Sequence, residues 1–223
     1  MSFDDEARFF CTLLPAAHPP RRVLVVGCGD GVEAAAIGSR TGAPVVGIDL
    51  VVEAAARRPG VHLVRTDARA LPFRADAFDA LYCYHVLEHV PGPAAAIRES
   101  RRVLSRDGLA FFGTPNKQRL VGYLGGRATG WEKLRWNLAD WGRRLTRRWS
   151  NELGAHAGFS AVELSGMLGA AFGAVREVSV PYYATKYPRL ASFWGYSFRL
   201  GIGRRLAPSV YYVAGDAPNG RPS

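Results

Sequence analysis

The sequence predicts an α/β fold with a mostly parallel sheet, and two observations lead to that prediction. Short β-branched runs alternate with helix-compatible stretches through the first 116 residues, which is the pattern of successive strand–helix–strand units. The first run, Val23–Val26, is wholly apolar and is closed by glycines, as expected for a strand buried on both faces. The chain has 223 residues, 48% of them apolar and 22% charged, so it is long enough to bury such a core.

Five strands and four helices are expected in this first part of the chain. The strands are predicted over Arg22–Val26, Val45–Asp49, Val61–Thr66, Ala77–Tyr84 and Leu109–Gly113, the last following a turn at Asp107-Gly108. The helices are predicted over Gly31–Thr41, Val52–Arg58 and Pro93–Leu104, with a further one beginning near Val86.

The pattern changes after Asn116. A helix is expected over Ser160–Ala171, because Ser160 and Glu163 have the spacing of a capping box, and strands are expected over Val175–Val180 and Val210–Ala214. We therefore divide the chain into a core domain at residues 1–116, a basic cap insertion at 117–159, and a return to the core at 160–216. A second basic and aromatic insertion is predicted within that last part, at 181–208.

The distribution of charge is uneven. The formal net charge is +10, yet residues 1–116 carry 13 basic and 13 acidic side chains. Residues 117–149 contain nine basic and two acidic residues, and residues 181–223 contain six basic and one acidic. The excess positive charge therefore lies in the two insertions, which favours contact with something anionic through those segments.

Cysteine usage and the first residues of the chain point to a compartment. Cys11, Cys28 and Cys83 have neither disulfide-framework nor metal-ligand spacing, which is typical of free thiols in a reducing cytosol. Ser2–Glu6 is acidic where a signal peptide would be basic, and no apolar run approaches the ~20 residues that span a bilayer. We expect a cytoplasmic protein, with or without peripheral attachment to a membrane.

A glycine-rich turn follows the first predicted strand. Gly27, Gly29 and Gly31 permit positive φ angles and let a ligand approach the backbone closely, although the same pattern can be only a tight connection. Asp49 stands at the tip of the second strand, about 20 residues later, where an acid can accept hydrogen bonds from ribose hydroxyls. Asp67 follows the third strand, where its carboxylate can accept a hydrogen bond from an adenine amine. Together these residues outline a nucleoside pocket.

Several motifs resemble those of the class I S-adenosylmethionine-dependent methyltransferases, in particular the small-molecule subgroup that includes ubiquinone-pathway enzymes. The resemblance is carried by GCGDG, GIDL, DARALPF, FDALYCYHVLEHV and RVLSRDGLAFFGTPN, and it covers residues 20–116. It implies a Rossmann-like sheet of seven strands with helices on both faces, a last antiparallel strand supplied by Val210–Ala214, and a basic, aromatic-rich helical cap. NAD is a poorer fit, because the turn is GCGDG and not GxGxxG.

The resemblance also assigns roles to residues of this chain. Gly27, Cys28, Gly29 and Gly31 would line the methionine part of S-adenosylmethionine, and Asp49 would hold the ribose with Leu50 against the adenine. Asp67 and Ala68 would contact the adenine edge, and Tyr84 and His85 would lie near the sulfonium. The family often has an acidic residue two positions before the first glycine, and this chain has Val25 there. The cofactor's amino group must then find another acceptor, such as a backbone carbonyl.

Three histidines are candidate catalytic bases, since a hydroxyl or protonated amine acceptor must lose a proton. His85 and His89 follow the fourth strand and share a face if that segment is helical, and His156 lies in a loop before the capped helix. A structural role remains the alternative for each of them. Two histidines without a third ligand make a poor zinc site, so no metal is expected.

The segment from Trp131 to Trp149 is predicted to be a basic amphipathic helix. Its large apolar residues fall within an arc of about 80° on a helical wheel. The stripe consists of Trp131, Leu134, Leu138, Trp141, Leu145 and Trp149. Three interpretations stay open: a lid whose stripe docks on the core, an interfacial helix on anionic lipid, or phosphate contact with nucleic acid, which is the least favoured because no RNA-binding motif accompanies it.

The sequence therefore predicts methyl transfer, most simply to oxygen, on a small-molecule or lipid-like acceptor. Two alternatives are a tRNA-modifying methyltransferase, which the basic segments would serve, and a catalytically silent cofactor-binding protein, which Val25 would permit. The acceptor and the oligomeric state are not encoded in any pattern that we can interpret.

Overall fold

A computed structural model describes residues 4–52, 58–122, 129–152 and 157–216. Seven strands in this part of the chain form one sheet in the order β3-β2-β1-β4-β5-β7-β6. The strands are β1 (Val23–Val26), β2 (Val45–Asp49), β3 (Val61–Arg65), β4 (Phe78–Tyr84), β5 (Leu104–Pro115), β6 (Ala174–Glu177) and β7 (Ser209–Gly215). Strands β1 to β5 are parallel, and β7 is antiparallel to both of its neighbours. The predicted Rossmann-like α/β sheet of seven strands is confirmed.

Helices lie before, between and after these strands. They are α1 (Asp4–Leu13), α2 (Val32–Thr41), α3 (Pro93–Val103), α4 (Gly130–Leu145), α5 (Ala161–Gly169), α6 (Ser179–Lys186), α7 (Ala191–Arg199) and α8 (Gly203–Leu206). The sequence analysis missed α1, whose Phe9 and Phe10 are buried in the core. The helix predicted over Val52–Arg58 falls largely on residues 53–57, which lie outside the described residues. No helix in the described ranges is long and apolar enough to cross a membrane.

Three predicted boundaries are wrong. The helix expected near Val86 is a single 3-10 turn at Leu87–His89. Strand β5 starts at Leu104, five residues before the predicted Leu109, and Phe78 pairs with Leu104 while Ala80 pairs with Leu109, so three extra residues bulge out between these pairs. The predicted turn at Asp107-Gly108 lies in this bulge, where a Cβ on Gly108 would meet the side chain of Leu104. The strand expected over Val175–Val180 ends at Glu177, and α6 starts at Ser179.

An aromatic row packs one face of the sheet. The Tyr82 and Phe111 rings stack with centroids 5.5 Å apart, and Phe111 stacks on Tyr211 at 5.8 Å, so the row crosses β4, β5 and β7. Phe10 of α1 closes on Tyr82 at 5.4 Å. Aromatic contacts of this kind add to the burial of large apolar area, so the row fixes the middle of the sheet.

The apolar stripe of helix α4 faces solvent, whereas a lid would turn it towards the core. Its N-terminus has the capping box Thr129–Glu132, and the helix ends at Leu145, before Trp149. Its buried residues are polar: the Asn137 amide exchanges hydrogen bonds with the backbone of Gly122, and Asp140 pairs with the buried Arg119 at 3.2 Å. The apolar stripe faces away from the core, with Trp131 73%, Leu138 52% and Leu145 86% exposed. A lid whose stripe docks on the core is therefore wrong.

Gly158 provides a test of how β5 is joined to α5. Its φ is +75°, and a Cβ atom there would overlap the carbonyl oxygen of Pro115, the last residue of β5. We expect Gly158→Ala to lower the free energy of unfolding by about 2 kcal/mol or more, because it combines left-handed backbone strain with overpacking. Urea unfolding monitored by circular dichroism measures the change.

Gly166 serves as the matched control, since it lies within α5 and an added Cβ would meet open space. Gly166→Ala should stabilise the protein by about 0.5–1 kcal/mol, because alanine is the better helix former. Equal effects at the two glycines would contradict the role assigned to Gly158.

A candidate cofactor site at the carboxyl edge of the sheet

The glycine-rich turn is bonded to the end of the neighbouring strand. Gly27, Gly29 and Gly31 have φ angles of 70°, 49° and 75°. The N–H groups of Gly27 and Cys28 both donate to the carbonyl of Ile48, at 2.8 and 3.0 Å. The N–H of Gly29 donates to Asp49 Oδ2 at 2.9 Å. Residues without a side chain are required here because the turn is left-handed at each of the three glycines.

Two carboxylates stand at the ends of successive strands, as predicted. Asp49 is the last residue of β2, and its Oδ1 accepts the N–H of Val51 at 3.2 Å. Asp67 follows β3 and is held by Arg69, whose Nη2 lies 2.7 Å from Oδ2. Hydrogen bonds from Arg69 lower the pKa of Asp67 below its usual value, so this carboxyl is ionised at neutral pH.

Two adjoining cavities open at this edge, with volumes of about 310 and 300 Å³. They share Gly27 and His85. The first is also lined by Asp49, Leu50, Asp67, Ala68 and His89. The second is also lined by Cys28, Gly29, Asp30, Glu33 and Tyr84. Nearly all the residues expected to hold the cofactor therefore surround one continuous region.

Gly31 and His156 are the exceptions. Gly31 is buried and caps the start of α2, so it shapes the turn without lining either cavity. His156 lies outside the described residues, and the structure makes no statement about it.

His85 and His89 do not share a helix face, because only Leu87–His89 forms a turn. His85 precedes it with φ +54°, a left-handed conformation that is uncommon for a residue with a side chain and that clusters at functional sites. Its ring packs against Tyr84, with centroids 4.2 Å apart. Both histidines line the first cavity.

Glu88 lies beneath His85. Its side chain is fully buried, and its Oε1 is 3.5 Å from His85 Nδ1. Burial raises the pKa of Glu88 to about 7, an effect that its backbone hydrogen bond and the charge of Arg119 only partly offset. Glu88 therefore titrates in the range where a proton acceptor is useful.

Cys28 is different in character. Burial, and secondly the charge of Asp49, raise the pKa of its thiol to about 11. The side chain stays a neutral thiol at physiological pH, so it contributes packing to the turn and not a nucleophile.

Sequence reasoning missed Glu33 and Arg69 as members of the site. Arg69 follows Asp67 by two residues, so their spacing in the sequence could have indicated that the two side chains pair. Glu33 looked like an ordinary acid in the first turn of a helix, where it complements the helix dipole. Only the packing of α2 against β4 places it in the second cavity.

Two further features of the described residues narrow the choice of ligand and of site. Among them, no group of three or more His, Cys, Asp or Glu side chains is arranged to hold a metal ion. A larger concavity of about 810 Å³ lies at the opposite edge, near Arg21, Asp79 and Asp107. None of the predicted site residues lines it, so we place the site at the carboxyl edge, where open α/β sheets bind ligands.

This chain is similar to known proteins over part of its length. Residues 24–112 match the family model described as a methyltransferase domain. Ubiquinone biosynthesis O-methyltransferase of Paracidovorax citrulli is 37% identical over 107 residues, which are 44% of each chain. The same enzyme of Hahella chejuensis is 39% identical over 111 residues, 46% of each chain. The chain thus aligns with less than half the length of these curated relatives.

Solved structures share the fold over nearly the whole chain. An S-adenosylmethionine-dependent methyltransferase from Mesorhizobium loti has a TM-score of 0.58 at 20% identity, covering 94% of this chain and 97% of that chain. Phosphoethanolamine N-methyltransferase 2 of Haemonchus contortus has a TM-score of 0.59 at 14% identity, covering 96% and 53%. The cyclase SpnF has a TM-score of 0.58 at 19% identity, covering 96% and 82%.

The matched segment contains the glycine turn, Asp49, Asp67, His85 and Glu88, and the sheet order is the one that methyltransferases share. S-adenosylmethionine is the methyl donor typical of that family. Residues 24–112 of this chain are thus similar to methyltransferase domains, and its sheet has the fold that S-adenosylmethionine-dependent methyltransferases share.

Proposed function

We propose that this protein transfers a methyl group from S-adenosylmethionine to an oxygen atom of a small-molecule or lipid-like acceptor. The observation that carries the proposal is the pair of cavities that share Gly27 and His85, with Asp49 and Asp67 at the rim of the first. Oxygen as the acceptor atom is supported by the relatives, which are named ubiquinone biosynthesis O-methyltransferases.

The first cavity suits an adenosine. Asp49 Oδ2 already accepts the N–H of Gly29, and its carboxylate retains lone pairs that would accept ribose hydroxyls. Leu50, 62% exposed, would pack on the adenine, and Asp67 with Ala68 would contact the base edge. The methionyl portion would then enter the second cavity beside Gly27, Gly29 and Tyr84.

When bound, the cofactor supplies a methyl carbon that its sulfonium already activates. The chain then has to position the acceptor and take its proton. We assign the base to His85, which lines both cavities, and a positioning role to Glu88, whose carboxylate lies 3.5 Å from Nδ1 and would stabilise the imidazolium. His89 lines only the first of the two cavities and is the second candidate.

Helix α4 supports a contact with an anionic lipid surface. Its exposed stripe includes two tryptophans, which favour the membrane boundary. Arg135 and Arg143 are exposed on the helix, and Arg147 and Arg148 are exposed just after its end. Of the two acids in 117–149, Asp140 is buried against Arg119, and Glu132 closes the capping box. The exposed surface beyond the first turn of α4 is therefore apolar and positive.

The other partners fit this surface less well. Phosphate contact with RNA would use the arginines but not an apolar stripe. A second copy would bring together two chains of net charge +10, which repel each other. Segment 116–122 joins α4 to the carboxyl edge of the sheet, since Trp141 Nε1 donates to Leu120 and the Leu120 N–H donates to Arg205. A lipid-like acceptor would therefore approach near the site.

Cofactor binding is tested by calorimetry with S-adenosylhomocysteine. Asp49→Asn and Asp67→Asn should each weaken binding about tenfold, because a charged hydrogen-bond acceptor becomes a neutral one. Asp76→Asn, at an exposed site in the loop before β4, should leave the affinity unchanged. Unchanged affinity in both site variants, or no binding by the parent protein, would contradict the proposal. A panel of phenols and catechols then tests methyl transfer, and binding of the cofactor without transfer to any of these acceptors would favour the catalytically silent alternative.

The role of Glu88 is tested by the pH dependence of methylation of an acceptor from that panel. As pH falls through about 7, Glu88 gains a proton and stops stabilising the imidazolium, so the rate should fall. Glu88→Gln should lower the rate about 10-fold to 100-fold and change the pH profile, because the carboxyl that titrates near 7 is gone and only the base itself is left to titrate. Glu152→Gln, at an exposed carboxyl, is the control. A variant that is slower but keeps the parent's pH profile would show that Glu88 is only structural.

Membrane contact is tested by cosedimentation with vesicles of equal parts phosphatidylcholine and phosphatidylglycerol. Arg135→Gln with Arg147→Gln should weaken binding about thirtyfold, since each basic residue near an anionic surface contributes about a factor of five. Leu138→Ser with Leu145→Ser should weaken it about tenfold or more without a change in charge. Binding should also fall as salt is raised.

The matched controls are Arg74→Gln with Arg106→Gln, and Val162→Ser, all at exposed positions away from α4. Neither control should alter vesicle binding. A parent protein that ignores anionic vesicles would refute the contact. The contact would also be refuted if the leucine variant dissociated a dimer in sedimentation without lipid, because the stripe would then be a dimer interface. Retention of tRNA without binding to vesicles would refute it as well.

A further inference from the structure

Glu33 occupies an unusual position for an acid in the first turn of a helix. It lines the second cavity with Gly27, Gly29 and Tyr84, and it lies under the hydroxyl of Tyr82, which donates to Oε1 at 3.3 Å. A first-turn acid can complement the helix dipole from the surface, where its charge is not desolvated. Burial instead raises the pKa of Glu33 to about 7, with the charges of Glu6 and Asp30 contributing.

The strand beneath Glu33 lacks an acid of its own. Val25 of β1 is fully buried and pairs in register with Tyr82 of β4. Because Tyr82 also bonds to Glu33, the helix carboxylate lies on the face of the sheet that Val25 shares. A carboxylate is therefore present at this end of the cavity, on α2 and not on β1.

We propose that Glu33 binds the α-ammonium group of the cofactor's methionyl portion. The inference rests on the proposed function, since it requires that this portion enter the second cavity. An ammonium group in a partly buried pocket needs an anionic acceptor, and the described lining offers two. Asp30 is 70% exposed and lies 3.8 Å from Arg58, so its charge is directed to the surface and Glu33 is the remaining acceptor.

The surroundings of Glu33 give the contact a pH dependence. Glu6 of α1 faces it and itself accepts from Tyr182 and from Lys186 Nζ, the latter at 3.1 Å, and the charge of Asp30 and the Tyr82 hydroxyl also act on it. Three further titratable groups line the same cavity: Cys28, Tyr84 and His85. A bound ammonium lowers the pKa of a carboxyl, so binding below pH 7 must displace a proton from Glu33. Affinity for a ligand with an ammonium group should consequently fall as the pH drops below 7.

The experiment compares two ligands by calorimetry: S-adenosylhomocysteine, and 5′-methylthioadenosine, which keeps the adenosine and sulfur but lacks the amino acid. Glu33→Gln should weaken S-adenosylhomocysteine about tenfold to hundredfold, the range for a hydrogen bond to a charged group, and leave methylthioadenosine unchanged. Asp76→Asn, at an exposed carboxyl that lines neither cavity, is the control and should affect neither ligand. At pH 7, in buffers of different ionisation enthalpy, the parent should release about half a proton on binding S-adenosylhomocysteine, and Glu33→Gln none.

Unchanged methylthioadenosine binding also shows that the Glu33→Gln variant is folded. If the parent binds both ligands and Glu33→Gln weakens neither, or weakens both equally, the role of Glu33 is overturned while the proposed function stands. If the parent binds neither ligand, the cofactor assignment itself fails and the inference fails with it.

Discussion

The hydrogen bonds between the glycine turn and the end of β2 are the constraint on which the site depends. The N–H groups of Gly27 and Cys28 converge on one carbonyl, that of Ile48, and Gly29 is held by the carboxylate of Asp49. These contacts hold the ends of β1 and β2 at a fixed distance from each other. Because β1 also pairs in parallel with β4, the end of β4, which His85 follows, is held beside them. Gly27 lines both cavities and Gly29 lines the second, so the turn leaves its backbone open to them at these two positions.

Buried charge is concentrated around these cavities. Glu88 and Glu33 are both mostly buried carboxyls whose pKa values are raised to about 7, and each has one defined partner, His85 or the Tyr82 hydroxyl. Burial of a carboxyl in this way costs stability, and the energy is recovered only if a proton or a cation is bound there. His85 lies beside both of them, since it is 3.5 Å from Glu88 and lines the cavity that Glu33 also lines.

Helix α4 shows how a polar contact can decide the orientation of an amphipathic helix. Asn137 satisfies both backbone groups of Gly122, and Asp140 neutralises the buried Arg119, whose Nη1 also donates to carbonyls of Asn116 and Ala157. Rotating the helix to bury its stripe would strand these groups without partners, at a cost of several kcal/mol. The apolar stripe is left exposed as a consequence.

The sequence by itself determined the elements whose signals are local. β-Branched runs predicted β1 to β4 to within a residue or two, and the spacing of Ser160 and Glu163 predicted the start of α5. The motifs predicted that Asp49, Asp67 and His85 lie at one edge of the sheet. Only the tertiary structure decided the exposed face of α4, the pairing of Leu104 with Phe78 before the bulge in β5, the left-handed backbone of His85 and the place of Glu33. Periodicity shows which face of a helix is apolar, but burial depends on the polar partners that distant segments such as Arg119 and Tyr82 supply.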